Sequence, residues 1–168
     1  MKVASVTKLL ENELKDLYSA EGQLLKALPK MARAASSAGL KKAFTSHLAE
    51  TKGQVERLRK VGEMLDIKLT GKKCKAMEGL LEEGEEVLDA EGPEGVIDAA
   101  LIAAAQRVEH YEISGYGTAR ALAEHLGHAR AAKLLQQTLD EESAADEKLT
   151  KISLGEVLPN ADANGEAG

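Results

Sequence analysis

The stretch that decides the fold is AALIAAAQRVEHYEISGYGTARALAEHL, residues 99–126. Its apolar residues recur at spacings of three and four, which is the period of an α-helix rather than of a β-strand. This face consists of Leu101, Ala105, Val108, Glu112, Ala119, Leu122 and Leu126. Glu112 interrupts the face with a carboxylate, and Glu109 lies one turn before it. The stretch therefore predicts a long helix, about residues 94–126, with acid side chains on its buried face.

Three other segments carry the same helical period, at about residues 5–35, 40–66 and 129–153. The connections that follow the first and third of the four segments are short, and each contains a glycine suited to ending a helix. The connection over residues 67–94 is long, holds a predicted short helix and ends at Gly92-Pro93. Short, long and short connections predict an all-α fold. This is an up-down four-helix bundle of two antiparallel hairpins joined by a long crossover, as in ferritin-like folds.

Composition supports one soluble, helical domain. The 168 residues are 43% apolar and 30% charged, and aromatic residues make up only 2%, which disfavours an all-β fold. We expect the domain to span residues 1–154. The polar tail of residues 155–168, which ends in NADANGEAG, is expected to be disordered.

The net charge of −6 argues against nucleic acid and anionic membranes as partners, because both attract positive surfaces. Lys72-Lys73-Cys74-Lys75 is the one candidate basic patch, and we interpret it as a solvated loop. No apolar run approaches the roughly 20 residues of a membrane span, and no signal peptide is evident. A single cysteine cannot form an internal disulfide. The sequence therefore predicts a cytoplasmic protein.

Each of the four helices places a carboxylate among its apolar residues, at Glu21, Glu50, Glu112 and Glu142. The two members of each hairpin lie at similar separations, 29 residues in the first and 30 in the second. In antiparallel hairpins with short turns, such spacing brings the groups to one level of the bundle. The pattern predicts a layer of acid side chains inside the bundle.

Buried carboxylates must be protonated, paired or bound to metal, because each loses several kcal/mol of solvation on burial. The candidate metal ligands are Glu21, His47, Glu50, Glu109, Glu112, Glu142 and Asp146. Oxygen-rich ligands with at most one imidazole favour iron or manganese, and the predicted cofactor is a pair of iron ions, with manganese as an alternative. The competing interpretation is that these are ordinary helix carboxylates that face solvent.

The role of the neighbouring polar residues is less constrained by the pattern. His47 lies one turn before Glu50 and is either a ligand or a hydrogen-bonding partner of the ligands. Gln54 and Asp146 share this ambiguity. Tyr18 and Tyr116 each lie about one turn from a candidate ligand and are expected to hydrogen-bond it or to pack beside it.

Four segments carry a resemblance to a known family: LYSAEGQLLKALPKMA, HLAETKGQVERL, AALIAAAQRVEHYEISGYGTA and AAKLLQQTLDEESAADEKL. Over about residues 9–152 the chain resembles the YciE/YciF-type bacterial ferritin-like family of stress-associated proteins. The resemblance implies a homodimeric four-helix domain with a dinuclear iron-type centre. It matches Glu21, Glu50, Glu112 and Glu142 to the carboxylate of each helix, and Glu109-x-x-Glu112 resembles the paired glutamates of rubrerythrin-type sites.

The chain departs from the wider ferritin-like pattern at two positions. Two helices of that pattern usually carry Glu-x-x-His, whereas here Gly53 follows Glu50 and Ala145 follows Glu142 at that offset. This departure puts oxidase or peroxidase turnover in doubt. Two functions are therefore expected from the sequence. The first is a metal-binding protein in stress or redox protection, and the alternative is a non-catalytic structural or interaction protein with a residual metal site.

Overall fold

The computed structural model describes the backbone of residues 4–165 and the side chains up to residue 161, and this part of the chain contains helices and no strands. The five long elements are α1 (Val6–Ala34), α2 (Ala38–Met64), α3 (Lys75–Leu88), α4 (Glu94–His125) and α5 (Ala129–Ile152). A π-helical turn (Ser153–Val157) and α6 (Leu158–Gly165) follow. The all-α prediction is confirmed, and α3 is the short helix predicted in the long connection.

Helix ends follow local capping chemistry. Ser5 and Ser37 precede α1 and α2, and each side chain accepts a hydrogen bond from the backbone N–H three residues later, at 3.1 Å. Gly127 ends α4 with a φ of +79°, a conformation that costs a glycine little. The α1 helix continues through Pro29. These signals fix two short turns, so that α1 and α2 form one hairpin and α4 and α5 form another.

The hairpins pack against each other through α1 on α4 and α2 on α5, while α3 lies against α1 and α4. The buried apolar residues divide into two clusters. One contains Leu24, Leu28, Phe44, Leu101 and Leu149, and the other contains Leu10, Leu14, Leu58, Ala119 and Leu135. Buried polar side chains of α1, α2, α4 and α5 belong to neither cluster. No helix in the described part of the chain combines the length and apolar character needed to cross a bilayer.

The C-terminal segment differs from its predicted disorder. Residues 153–165 are helical, and Val157 and Ala161 are buried. The Glu156 carboxylate accepts hydrogen bonds from Ser37 Oγ (2.6 Å) and Gly39 N (3.2 Å) in the first hairpin's turn. The polar composition predicted a disordered tail, but Glu156 makes hydrogen bonds to the turn between α1 and α2. Residues 166–168 lie outside the described part of the chain.

Close backbone approach completes this docking. A Cβ atom at Gly95 would lie 2.8 Å from Ala161 Cα, so only glycine lets α6 lie this close to the start of α4. Asp98 supports the same end of the molecule, because its two carboxylate oxygens accept from the backbone N–H groups of Ser36 (2.9 Å) and Ser37 (2.6 Å).

Candidate metal centre

Four long helices each contribute buried polar side chains to the interior. Those near the candidate site are Glu21 of α1, His47, Thr51 and Gln54 of α2, Glu109 and Glu112 of α4, and Thr138 and Glu142 of α5. In α1, Glu21 lies among buried leucines at spacings of three and four, so the helix that buries Leu17 and Leu24 buries Glu21 as well. The same argument applies to Glu112 and Glu142.

His47, Glu109, Glu112 and Glu142 form a compact cluster. Each offers one ligand-type atom, and these atoms all lie within 4.8 Å of one another. His47 Nε2 lies 3.4 Å from Glu109 Oε1 and 3.6 Å from Glu142 Oε2. The cluster thus joins three helices through one imidazole and three carboxylates.

Most of the inward-facing atoms of this cluster lack a hydrogen-bond partner. Both carboxylate oxygens of Glu112 and of Glu142 are buried and unpartnered, as are Glu109 Oε2 and His47 Nε2. Glu21 Oε2 is also buried without a hydrogen-bond partner. A buried acceptor without a donor costs about 1–3 kcal/mol, and a proton shared between the carboxyl groups or a bound cation would remove that cost. The four residues of the cluster could hold a metal ion.

Burial also raises the pKa values of the carboxyl groups in and beside the cluster. The pKa of Glu112 is raised well above its ordinary value, because the carboxyl is desolvated and faces the negative charges of Glu21 and Glu142. Desolvation and neighbouring carboxylates likewise raise the pKa of Glu21 and of Glu109 well above the ordinary range, and burial raises that of Glu142. Such groups accept a bound cation readily in place of protons.

Glu21 lies beside the cluster and is oriented by Tyr116. The Tyr116 hydroxyl, buried on α4, donates a hydrogen bond to Glu21 Oε1. Desolvation and the nearby Glu21 carboxyl raise the pKa of Tyr116 well above its ordinary value, so the phenol remains a donor. This contact leaves Glu21 Oε2 free for a cation.

Two predicted ligands lie elsewhere. The Glu50 side chain is 46% exposed, and Glu50 Oε2 contacts the outer nitrogen of His47, Nδ1, at 3.3 Å. That contact is the largest cause of the lowered pKa of Glu50. Asp146 lies at the edge of the α4–α5 contact, where Oδ1 accepts from Gln106 Nε2 (2.9 Å) and lies 3.5 Å from His110 Nε2. The buried layer therefore receives His47 from α2 in place of Glu50.

Tyr18 and Gln54, which were predicted to lie beside the ligands, make hydrogen bonds to Arg59 and Glu141. The Tyr18 hydroxyl accepts a hydrogen bond from Arg59 Nε (3.3 Å), and the Tyr18 ring lies 5.9 Å from the Arg59 guanidinium carbon. Gln54 is fully buried, and its Nε2 donates to Glu141 Oε2 (3.1 Å) while Oε1 has no hydrogen-bond partner.

A polar network between α2 and α5 was missed by sequence reasoning. Arg57 binds Glu141 through two nitrogens, at 2.8 and 2.9 Å, and donates to Thr138 Oγ1 at 2.6 Å. Its positive charge also lowers the pKa of Glu21, against the larger effect of burial. The spacing of residues within one helix could not predict these contacts, because each of them joins two different helices.

Comparison with known proteins places the chain in a family. The family model described as "Domain of unknown function (DUF892)" matches residues 5–162. The chain belongs to the DUF892 family. Protein YciF of Escherichia coli strain K12, which this chain resembles, is 50% identical over 163 residues, or 96% of this chain and 98% of YciF. The family membership that the four quoted segments indicated is therefore confirmed.

Solved structures show the same relationship. The crystal structure of the E. coli stress protein YciF matches with a TM-score of 0.88 at 51% identity, over 90% of this chain and 96% of that one. YcfI from Rhodopseudomonas palustris, provisionally described as a structural protein, matches with a TM-score of 0.85 at 44% identity, over 89% and 95% of the two chains. A Xanthomonas campestris protein at 18% identity (TM-score 0.74, 95% and 98% coverage) shares the fold alone. YciF and YcfI thus match this chain over nearly their full length.

Proposed function

We propose that this chain is a ferritin-like metal-binding protein whose bundle holds two iron or manganese ions and serves stress or redox protection. The observation that carries the proposal is the group of buried, unpartnered ligand atoms on His47, Glu109, Glu112 and Glu142, with Glu21 Oε2 beside them. No arginine or lysine forms an ion pair with any of these residues among the described contacts. A cation is the partner that this donor set fits.

Charge supports a pair of divalent ions. Glu21, Glu109, Glu112 and Glu142, when ionised, carry four negative charges, which two divalent cations balance. Three or more carboxylates and one imidazole form a hard, oxygen-rich set that suits iron or manganese better than copper or structural zinc. In this arrangement His47 supplies Nε2, while Tyr116 holds the Glu21 carboxylate in place.

If the centre is catalytic, the reduced ions would supply electrons to peroxide or dioxygen. The chain itself would hold the ions, keep Glu21 oriented through Tyr116 and keep His47 oriented through Glu50. The surrounding apolar clusters would limit access of water. Oxidase or peroxidase activity is the corresponding enzymatic hypothesis, and a homodimer is the proposed assembly.

Metal analysis tests the proposal directly. The full chain, loaded anaerobically with ferrous ion or, in a parallel sample, with manganous ion and passed through a desalting column, is expected to retain about two ions per chain. Glu142→Gln should retain at most one, because it removes a ligand charge shared by the cluster. Glu147→Gln is the matched control, since Glu147 lies on the same helix with a 72% exposed side chain. Retention of no iron and no manganese by the unaltered chain would overturn the proposal.

A second candidate function is a non-catalytic structural protein with a residual metal site. It is favoured by the alanine at position 145, where the wider ferritin-like pattern carries a histidine. This alternative predicts that metal raises the melting temperature but that the loaded chain consumes no peroxide. Light scattering on the same samples tests the homodimer.

A further inference from the structure

The cluster of His47, Glu109, Glu112 and Glu142 is buried, so a cation must pass between helices to reach it from solvent. A cleft of about 150 Å³ lies between α2 and α5, and His47 and Glu109 are among the residues that line it. The inner end of this cleft is therefore formed by two members of the cluster.

Small side chains give the cleft its width. Ala43 on α2 and Ala144 and Ala145 on α5 line it, together with Phe44 and Leu149. Ala144 is exposed and Ala145 is partly buried, so this lining runs from solvent into the protein. One water molecule needs roughly 10–15 Å³ of such space, so the cleft holds several waters. A divalent cation can therefore enter it with part of its hydration shell.

Carboxylates lie along the cleft from its outer part to its inner end. The Glu50 side chain is 46% exposed, and Glu50 Oε2 lies 3.3 Å from His47 Nδ1. On the other side of the imidazole, His47 Nε2 lies 3.4 Å from Glu109 Oε1. Clefts that carry charge of one sign concentrate ions of the opposite sign. The arrangement therefore favours the passage of a cation from Glu50 to the cluster.

Two basic side chains modify the charge of the cleft. Arg57 Nη2 lies 2.8 Å from Oε1 of Glu141, which also lines the cleft, and offsets its charge. Lys148 lines the cleft as well, and its Nζ donates to Ser46 Oγ at 2.9 Å, across the gap from α5 to α2. Since Lys148 is exposed, this contact lies at the outer end. The ammonium group therefore bridges the opening and repels an approaching cation.

We propose that divalent cations reach the buried cluster through the α2–α5 cleft, where Glu50 is the first carboxylate they meet and Lys148 slows their entry. The inference rests on the proposed function and adds the route by which its ions arrive. Release follows the same route in reverse. A substitution that only narrows the cleft therefore slows uptake and release by the same factor and leaves the affinity unchanged.

Double mixing of Fe²⁺ with the metal-free full chain under anaerobic conditions tests this route. Iron and chain react for a set delay, and an excess of a chromophoric chelator is then added. Iron that is still free reacts with the chelator at once, whereas bound iron reacts at its rate of release. One set of traces thus gives both the uptake rate and the release rate. Mn²⁺ is used in the same way if the chain retains only manganese.

Filling the cleft should slow both rates. We expect Ala145→Leu to slow uptake and release about tenfold each, because a narrower passage raises the barrier in both directions. Ala144→Leu, at an exposed position, is the second filling variant if the first does not fold. The number of retained ions and their affinity should stay unchanged. Ala121→Leu, at an exposed position of α4, is the matched control.

Removing the charge of Lys148 should act in the opposite direction. We expect Lys148→Met to speed uptake about threefold at low salt, and the gain should shrink at high salt, where charges are screened. Lys151→Met removes a charge about one turn further along α5, from a side chain that is 77% exposed. It is the matched control and should take up iron at the rate of the unaltered chain.

Unchanged uptake and release in a folded Ala145→Leu or Ala144→Leu variant would overturn the route. Slower uptake without slower release would overturn it too, because the substitution would then act on the cluster rather than on the path. Unchanged or slower uptake in Lys148→Met rejects the role of Lys148. An unaltered chain that retains no ion overturns the proposed function and the route together, whereas retained ions with unchanged rates in the filled variants overturn the route alone.

Discussion

His47 Nδ1 contacts Glu50 Oε2 at 3.3 Å, while the opposite ring nitrogen, Nε2, faces Glu109 and Glu142. Since this contact lowers the pKa of Glu50, the carboxylate is ionised near neutral pH and accepts a hydrogen bond from Nδ1–H. Nε2 is then the ring nitrogen that a cation held by Glu109 and Glu142 would bind. Carboxylates that hold a ligand histidine in this way raise metal affinity in other proteins. Glu50 therefore acts through His47.

Removal of the Glu50 carboxylate should weaken metal binding without abolishing it. We expect Glu50→Ala to lower the affinity for Fe²⁺ or Mn²⁺ about 10- to 100-fold, because the imidazole loses the group that fixes its tautomer and orientation. Competition with a chromophoric chelator measures the change. Glu56→Ala, on the same helix with a 60% exposed side chain, is the control. Unchanged affinity in Glu50→Ala would show that the contact has no such role.

The stability of the metal-free chain should fall as the pH rises. Burial raises the pKa of Glu21, Glu109 and Glu112 well above 4.5, so the folded chain binds more protons than the unfolded chain above that pH. Stability is then greatest near the unfolded pKa values and is lost as pH increases through the folded ones. Urea denaturation of chelator-treated protein between pH 5 and 8 measures this slope.

Glu112→Gln supplies the control for that pH dependence. The amide cannot ionise, so the variant should lose part of the decrease in unfolding free energy between pH 5 and 8, and it should also lose metal-dependent stabilisation. Glu124→Gln, on the same helix with a 67% exposed side chain, should behave as the unaltered chain does. A flat pH profile in the unaltered metal-free chain would contradict the ionisation argument.

The Tyr116 hydroxyl should contribute more to the free energy of unfolding than the hydroxyl of Tyr18. Tyr116→Phe leaves Glu21 Oε1 buried without its donor, and we expect the unfolding free energy to fall by about 1–3 kcal/mol. Tyr18→Phe removes a hydroxyl that contacts Arg59 outside the cluster, and the expected change is within about 0.5 kcal/mol. Chemical denaturation of both variants decides the matter, and equal effects would count against a special role for Tyr116.

The C-terminal segment should contribute to global stability. Val157 is only 2% exposed, so Val157→Ala is expected to lower the unfolding free energy by about 2 kcal/mol through lost burial and a residual cavity. Leu154 is 66% exposed and three residues away, and Leu154→Ala should change it by less than about 0.5 kcal/mol. If both variants unfold with the same free energy as the unaltered chain, the C-terminal segment does not pack against the rest of the protein in solution.

Helical periodicity alone predicted the elements and much of the buried layer. The spacing of apolar residues gave four long helices and a short one near the observed bounds, and it indicated burial of Glu21, Glu112 and Glu142. Those predictions succeeded because a residue in the middle of an apolar stripe is buried whichever neighbour covers the stripe. The quoted segments also indicated the family.

Only the tertiary structure decided which side chains at the edges of the stripes face the interior. His47 and Glu50 lie one turn apart on α2, and the position of α5 and α4 buries His47 while leaving Glu50 half exposed. Asp146 hydrogen-bonds Gln106, and Tyr18 hydrogen-bonds Arg59. Both contacts depend on where the neighbouring helix lies. Periodicity specifies a face, whereas the edge of that face depends on how the neighbouring helix lies against it.

The C-terminal segment shows the same division between local and long-range information. Its composition is polar and determines no packing by itself, but Glu156 finds its partners at Ser37 and Gly39, more than a hundred residues earlier in the chain. The sequence determined a bundle with acid residues inside it. The folded chain determined which five side chains meet there, because their meeting depends on contacts between helices rather than on spacing within one.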